Sequence, residues 1–132
     1  MSDPAALLLD TNALIWTVSA SEKISARARR AMSRPAASLA VSVVSVWEIV
    51  LKHHAGKLHF QVSLEDVVGQ LLHHSAWTVL PLLPECLPVL AGLPMLHKDP
   101  FDRLIIAQAR FGSMAIVTAD EQIKKYDVRT VW

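Results

Sequence analysis

The residues best suited to chemistry lie in His97-Lys98-Asp99-Pro100-Phe101-Asp102-Arg103, directly before the apolar run Leu104-Ile105-Ile106-Ala107. Two carboxylates three residues apart stand there between cations, at the head of what reads as a buried helix. A buried helix seldom opens with so much charge unless the charge is used. Three more acids hold comparable positions. Asp10 directly follows the apolar run Ala5–Leu9, Glu48 lies just after a second such run, and Asp120 follows Ala115–Val117. Magnesium and manganese favour hard oxygen ligands and keep some of their water, so a few carboxylates suffice to hold them. Without a cation, close carboxylates repel by about 1 kcal/mol per pair even at the dielectric of water. Clustered acids are therefore costly unless a cation is expected.

Each acid also has a plain helix-capping alternative. Ser45-x-x-Glu48 and Thr118-x-x-Glu121 fit capping boxes. Asp99 suits an N-cap, and Asp102 could complete a box with it. Acids in a first turn also favour the helix dipole. Asp10 differs, because Thr11 or Asn12 could cap the next helix equally well, and one cap does not need three candidates. Other chemistries fit less well. His53, His54, His73, His74 and His97 raise zinc, but no HExxH or CxxC pattern occurs and Cys86 has no partner cysteine. There is no GxSxG elbow for a serine hydrolase. With four glycines in the chain, there is no phosphate-cradling glycine loop.

The positioning elements follow from the hydrophobic pattern. Continuous apolar runs at Ala5–Leu9, Ser38–Val43, Trp77–Leu82 and Ala115–Val117 read as strands buried on both faces, with Val128–Trp132 as an edge strand. Between them, helices are expected at Ala13 onward, Ser21–Ser33, Ser45–Ala55 with Gly56 as its cap, Ser63–Ser75, Pro84–Leu93, Pro100–Phe111 with Gly112 as its cap, and from Thr118 to near Tyr126. Arg27, Arg29 and Arg30 read as a solvated face of the second of these. Strands alternating with helices imply an α/β fold: a three-layer α/β/α sandwich with a mainly parallel central sheet. In such a sheet the strand ends carrying Asp10, Glu48, Asp102 and Asp120 converge on one edge, where ligands bind.

The bulk numbers bound the rest. A chain of 132 residues, 52% hydrophobic, fits one domain spanning 1–132 with a sizeable core. Thirteen Lys and Arg against twelve Asp and Glu leave a net charge of +1, so a nucleic-acid partner would rely on local cations. The single cysteine argues for a reducing compartment. The start Met1-Ser2-Asp3-Pro4 lacks a basic leader region, and its apolar run is too short for a signal peptide or membrane span. A cytoplasmic protein with no membrane association is the expectation.

Taken together, these motifs are similar to a known family. Asp10-Thr11-Asn12-Ala13-Leu14-Ile15-Trp16, Ser45-x-Trp47-Glu48-Ile49 with Lys52 and Gly56-Lys57-Leu58, His97-x-Asp99-Pro100-Phe101-Asp102-Arg103 with Ala107-Gln108-Ala109, and Val117-Thr118-Ala119-Asp120 resemble the PIN-domain family. In particular, they are similar to the VapC-type toxins of bacterial toxin–antitoxin pairs. The resemblance covers nearly the whole chain, in order. It implies a small α/β/α ribonuclease using Mg²⁺ or Mn²⁺, a homodimer, and inhibition by a cognate VapB-type antitoxin that inserts a segment into the active-site groove. It places the family's metal-binding acids on Asp10, Glu48, Asp102 and Asp120. Glu121 is an alternative to Asp120, and Asp99 is a ligand, a cap or a support for the site. Thr11 and Asn12 stand where the family places residues that steady the site; Asn12 departs mildly from a histidine found in this subgroup.

The mechanism this implies is in-line hydrolysis of a phosphodiester at a site built by these acids. Lys52, Lys98 and Arg103 are candidates for phosphate contacts, and Arg103 could instead pair with Asp99 or Glu48 and orient them. Two further readings stay open: a non-catalytic RNA-binding or interaction module on the same fold, and a metal-dependent DNA nuclease. Acids in a groove argue against a pure phosphate binder.

Overall fold

The structure, a computed structural model, describes residues 4–132. Met1-Ser2-Asp3, the start of the expected 1–132 domain and the stretch on which the reading of no leader rests, lie outside the described residues. Strands β1 (Ala6–Leu9), β2 (Ser38–Ser42), β3 (Thr78–Leu80), β4 (Ala115–Val117) and β5 (Thr130–Val131) form one sheet in the order β3-β2-β1-β4-β5. Every pairing is parallel. The edge strand expected near the end of the chain is β5, and it completes an all-parallel sheet.

Among the described residues six α-helices flank the sheet: α1 (Thr11–Ser19), α2 (Ala26–Ser33), α3 (Val43–His54), α4 (Leu64–Leu72), α5 (Cys86–Ala91) and α6 (Pro100–Phe111). Side chains alternate across each strand, so the sheet feeds two cores. Leu7, Leu9, Val41 and Val117 pack with side chains of α1 to α4 on one face. Leu8, Ala40 and Ile116 pack on the other with Ile105, Ile106 and Ala109 of α6 and with Ile123 and Tyr126. The three-layer α/β/α expectation holds.

Local boundaries depart from the sequence reading where short polar side chains intervene. Ser21–Ser33 is two pieces: a 3₁₀ turn over Ser21–Lys23, then α2, which starts because Ser25 accepts the Ala28 N–H. Gly56 does follow α3, at φ 73, the left-handed conformation that ends helices without strain. The helix expected from Thr118 to Tyr126 does not form. A loop with one 3₁₀ turn at Ile123–Lys125 takes its place.

The chain runs from β1 outward to β2 and β3 on one side, then returns past β1 to β4 on the other. The strand order therefore reverses between β1 and β4, and the crevice above that point is where an open parallel sheet binds ligands.

Candidate metal centre

Asp10 stands at that crevice. Its N–H bonds the Val117 carbonyl at 3.1 Å, tying the ends of β1 and β4. It is buried, and both of its carboxylate oxygens are engaged. Oδ1 accepts the Ala13 N–H at 2.7 Å and so caps α1, the role the sequence left to Thr11 or Asn12. Oδ2 accepts the Thr118 hydroxyl. Burial pushes the Asp10 pKa up to about 6; the hydrogen bonds from Thr118 and Ala13 oppose this, and the charges of Asp120 and Glu48 add to it.

Glu48 reaches the same place from α3. That helix starts at Val43 because Ser42, the last residue of β2, accepts the Val44 N–H at 3.0 Å. Ser45 is therefore no cap, and the Ser45-x-x-Glu48 box does not exist; the Ser45 hydroxyl instead accepts the Thr11 hydroxyl at 3.0 Å. Glu48 sits in the second turn and is 6% exposed. Its Oε2 lies 2.9 Å from Lys52 Nζ, while Oε1 is buried with no hydrogen-bond partner.

At the head of α6, Asp99 Oδ1 accepts the N–H groups of Phe101 (2.8 Å) and Asp102 (3.2 Å), with Pro100 at the first helical position. Asp102 completes no box with it. Its Oδ2 lies 2.8 Å from His97 Nε2. Burial raises the Asp102 pKa to about 7; His97 opposes the shift, and the charges of Asp99, Asp10 and Glu48 add to it.

Asp120 is held in the loop after β4. Its N–H donates to Thr118 Oγ1 at 2.9 Å, its Oδ1 accepts the Gln122 N–H at 2.8 Å, and its Oδ2 lies 3.9 Å from His97 Nε2.

Asp10, Glu48, Asp102 and Asp120 thus line one cavity of about 140 Å³, together with Asp99, Thr11, Asn12, Lys52 and His97. A larger cavity of about 670 Å³, lined by Val18, Phe60, Val67 and Trp77 among others, has no acid facing it. Three residues singled out in the sequence are not brought to the acids. Glu121 is exposed and pairs with Lys124 at 3.1 Å. Lys98 is exposed and lies outside the cavity lining. Arg103 pairs with neither Asp99 nor Glu48: its Nη1 donates to the Pro94 carbonyl (2.9 Å) and to the Tyr126 hydroxyl (3.0 Å). Lys52 is at the site, already paired with Glu48.

In sequence His97 is one of several histidines without a ligand pattern, and Thr118 reads as the start of a helix. The signal for Thr118 was its place directly after an apolar strand, the same signal that marked Asp10. His97 became visible only when the turn ahead of α6 set its ring against Asp102.

The donor set fits a divalent cation. Glu48 Oε1 is a buried acceptor with nothing to accept from. One atom each of His97, Asp102 and Asp120 lies within 4.8 Å of the others. Burial works against ionising Asp10 and Asp102, and a bound cation would offset that cost. All the acidic donors are hard oxygens, as Mg²⁺ and Mn²⁺ prefer.

A family model described as "PIN domain" matches residues 7–129. No curated protein matches the chain. Among solved structures, the chain is similar to that of VapBC2 from Rickettsia felis bound to a DNA fragment from their promoter. The TM-score is 0.72 at 14% identity, covering 95% of this chain and 96% of that one. It is also similar to FitAcB from Neisseria gonorrhoeae, with a TM-score of 0.62 at 20% identity over 94% and 95% of the two chains. A third likeness is to FitAB bound to an IR36 DNA fragment, with a TM-score of 0.56 at 17% identity over 94% and 92%. At these identities the likeness is one of fold.

Proposed function

The chain belongs to the PIN-domain family, and from that premise we propose that it is a metal-dependent endoribonuclease, the VapC-type toxin of a toxin–antitoxin pair, acting as a single domain in the cytoplasm. The observation that carries the reading is the convergence of Asp10, Glu48, Asp102 and Asp120 from four separate segments on one small cavity that includes an unpartnered buried carboxylate oxygen.

A Mg²⁺ or Mn²⁺ ion bound there would supply positive charge against the charge building on a phosphodiester and would make an attacking water more acidic. The four carboxylates would hold it. Thr118 and the cap of α1 fix the two oxygens of Asp10. Asp99 starts α6 at a fixed point and so sets where Asp102 projects. The Thr11–Ser45 bond locks α1 against α3, the helix that carries Glu48. Lys52 balances Glu48 and is within reach of a substrate phosphate at the cavity, whereas Arg103 is committed to the fold.

The neighbouring structures support a VapB-type antitoxin as partner. The outer face of α3 supports a homodimer. Val43, Trp47 and Leu51, at four-residue spacing, are 38%, 54% and 42% exposed, and Trp47 meets Phe101 edge-on at 4.9 Å. Among the described residues, no helix is long and apolar enough to cross a membrane.

The test is cleavage of single-stranded and structured RNA by purified protein with Mg²⁺ or Mn²⁺, side by side with DNA. EDTA should abolish it. Cleavage of DNA alone would move the reading to a DNA nuclease. Retention of RNA without cleavage, by protein that binds the cation, would move it to a binding module.

A further inference from the structure

We propose that His97 is itself a ligand of the cation, so that the centre is a mixed nitrogen–oxygen site favouring Mn²⁺ over Mg²⁺. The proposal rests on the reading of the acidic cavity as a cation site and adds one ligand and a metal preference to it.

The distances carry the argument. Nε2 of His97 lies 2.8 Å from Asp102 Oδ2 and 3.9 Å from Asp120 Oδ2. An octahedral ion with bonds of about 2.0–2.1 Å sets neighbouring donors about 3 Å apart and opposite donors about 4 Å apart. Both separations are close to those values, and the Asp102 and Asp120 ligand atoms lie within 4.8 Å of each other, so a modest movement would set all three donors on one ion. A neutral imidazole with its proton on Nδ1 presents a lone pair at Nε2. A second observation points to the same ion from another helix: the buried, unpartnered Glu48 Oε1 belongs to the same cavity.

The backbone that carries the ring is also held in place, although the segment is irregular. The backbone N–H groups of Leu96 and His97 both donate to the Tyr126 hydroxyl, at 3.1 and 2.9 Å. Tyr126 is buried, and Arg103 bridges the same hydroxyl to the Pro94 carbonyl. Two of these bonds hold the backbone of His97 and its neighbour directly, and the two from Arg103 brace the hydroxyl and carbonyl around it.

The metal preference follows from ligand chemistry. Mg²⁺ favours sites made wholly of oxygen, whereas imidazole strengthens binding of first-row transition ions. Among these, Mn²⁺ is the ion that also suits the surrounding carboxylates.

Pulsed electron paramagnetic resonance of the full chain loaded with one equivalent of Mn²⁺ tests this directly. Nitrogen modulation from a bound imidazole is expected in the wild type. It should switch isotope signature when histidine is supplied as ¹⁵N, a control that needs no variant, and it should vanish in His97→Ala. By calorimetry, His97→Ala should weaken Mn²⁺ binding by at least the roughly tenfold that even an outer partner of a metal ligand is worth, and Mg²⁺ binding by much less. Bound Mn²⁺ without nitrogen modulation, or modulation that persists in His97→Ala, would overturn the proposal. If EDTA-sensitive RNA cleavage survives alongside either result, the nuclease reading stands without it. Failure of the wild type to bind Mn²⁺ at all would sink both.

Discussion

Asp10 serves two ends with one carboxylate. One oxygen caps a helix and the other takes a hydroxyl proton donor, yet the group sits where burial disfavours its charge. Asp10→Asn separates the two. An asparagine still offers an acceptor oxygen to the Ala13 N–H, so α1 should stay capped. Cleavage should fall at least about 100-fold, since the variant removes a charged ligand. The melting temperature without metal at pH 7.5 should be unchanged or higher. Wild-type cleavage by Asp10→Asn with Mg²⁺ would end the proposed mechanism.

The raised pKa values of Asp10 and Asp102, about 6 and about 7, also set a pH dependence. Below the ordinary carboxylate range both groups are protonated folded or unfolded, and neither costs stability. As pH rises towards 7 the unfolded chain releases these protons first, so folding becomes less favourable. Metal-free protein should therefore lose stability between about pH 4 and 7, as followed by urea unfolding at stepped pH. Added Mn²⁺ should restore more of it at pH 7.5 than at pH 5, because the ion requires both carboxylates ionised. A flat profile without metal would contradict the burial argument.

At the scale of elements, two devices aim the site. The first is the start of α6, where Asp99 was legible in sequence as a cap and also lines the cavity. Asp99→Asn should keep the cap, while Asp99→Ala should cost about 1 kcal/mol by chemical denaturation. If Asp99→Asn lowers metal affinity with stability unchanged, Asp99 is a ligand as well as a cap. The second is Tyr126, which the sequence did not mark. Tyr126→Phe leaves the His97 N–H without its acceptor, while the Leu96 N–H and Arg103 Nη1 keep only the Pro94 carbonyl, at a cost of about 1–3 kcal/mol. Hydrogen exchange at the Leu96 and His97 amides should accelerate more than in the sheet.

The strands were readable because an all-parallel sheet needs continuous apolar runs, and Ala6–Leu9 and Ala115–Val117 are such runs. Helix starts differ from their capping patterns because such a pattern is local, and other short polar side chains compete for it. Ser42, at the end of β2, captures the start of α3 three residues before Ser45. Thr118 and Asp120 each take a backbone N–H two residues on, which turns the chain away from helix. The acids themselves were legible as types in sequence. Their companions His97, Thr118 and Tyr126 were not, since their roles depend on turns and on contacts between distant segments.

For the whole molecule, the outer face of α3 leaves Trp47 more than half exposed, a large apolar side chain whose ring meets that of Phe101. Trp47→Glu should shift light-scattering mass from dimer towards monomer without loss of the folded core, because the residue lies outside both apolar clusters. A wild type that is monomeric at high micromolar concentration would remove the dimer from the proposal.

The bond between Thr118 and Asp10 joins residues 108 apart. Its consequence is one of timing. Strand β1 leaves the ribosome well before β4, so it remains unpaired along one edge until β4 is made, and Asp10 lacks its Thr118 and Asp120 neighbours until then. Contacts of such long sequence separation form late. A nascent chain stalled before residue 115 would carry Asp10, Glu48 and Asp102 without the strand that closes them into a cavity. The acids would thus stay apart from the strand that completes their cavity until β4 has been synthesised.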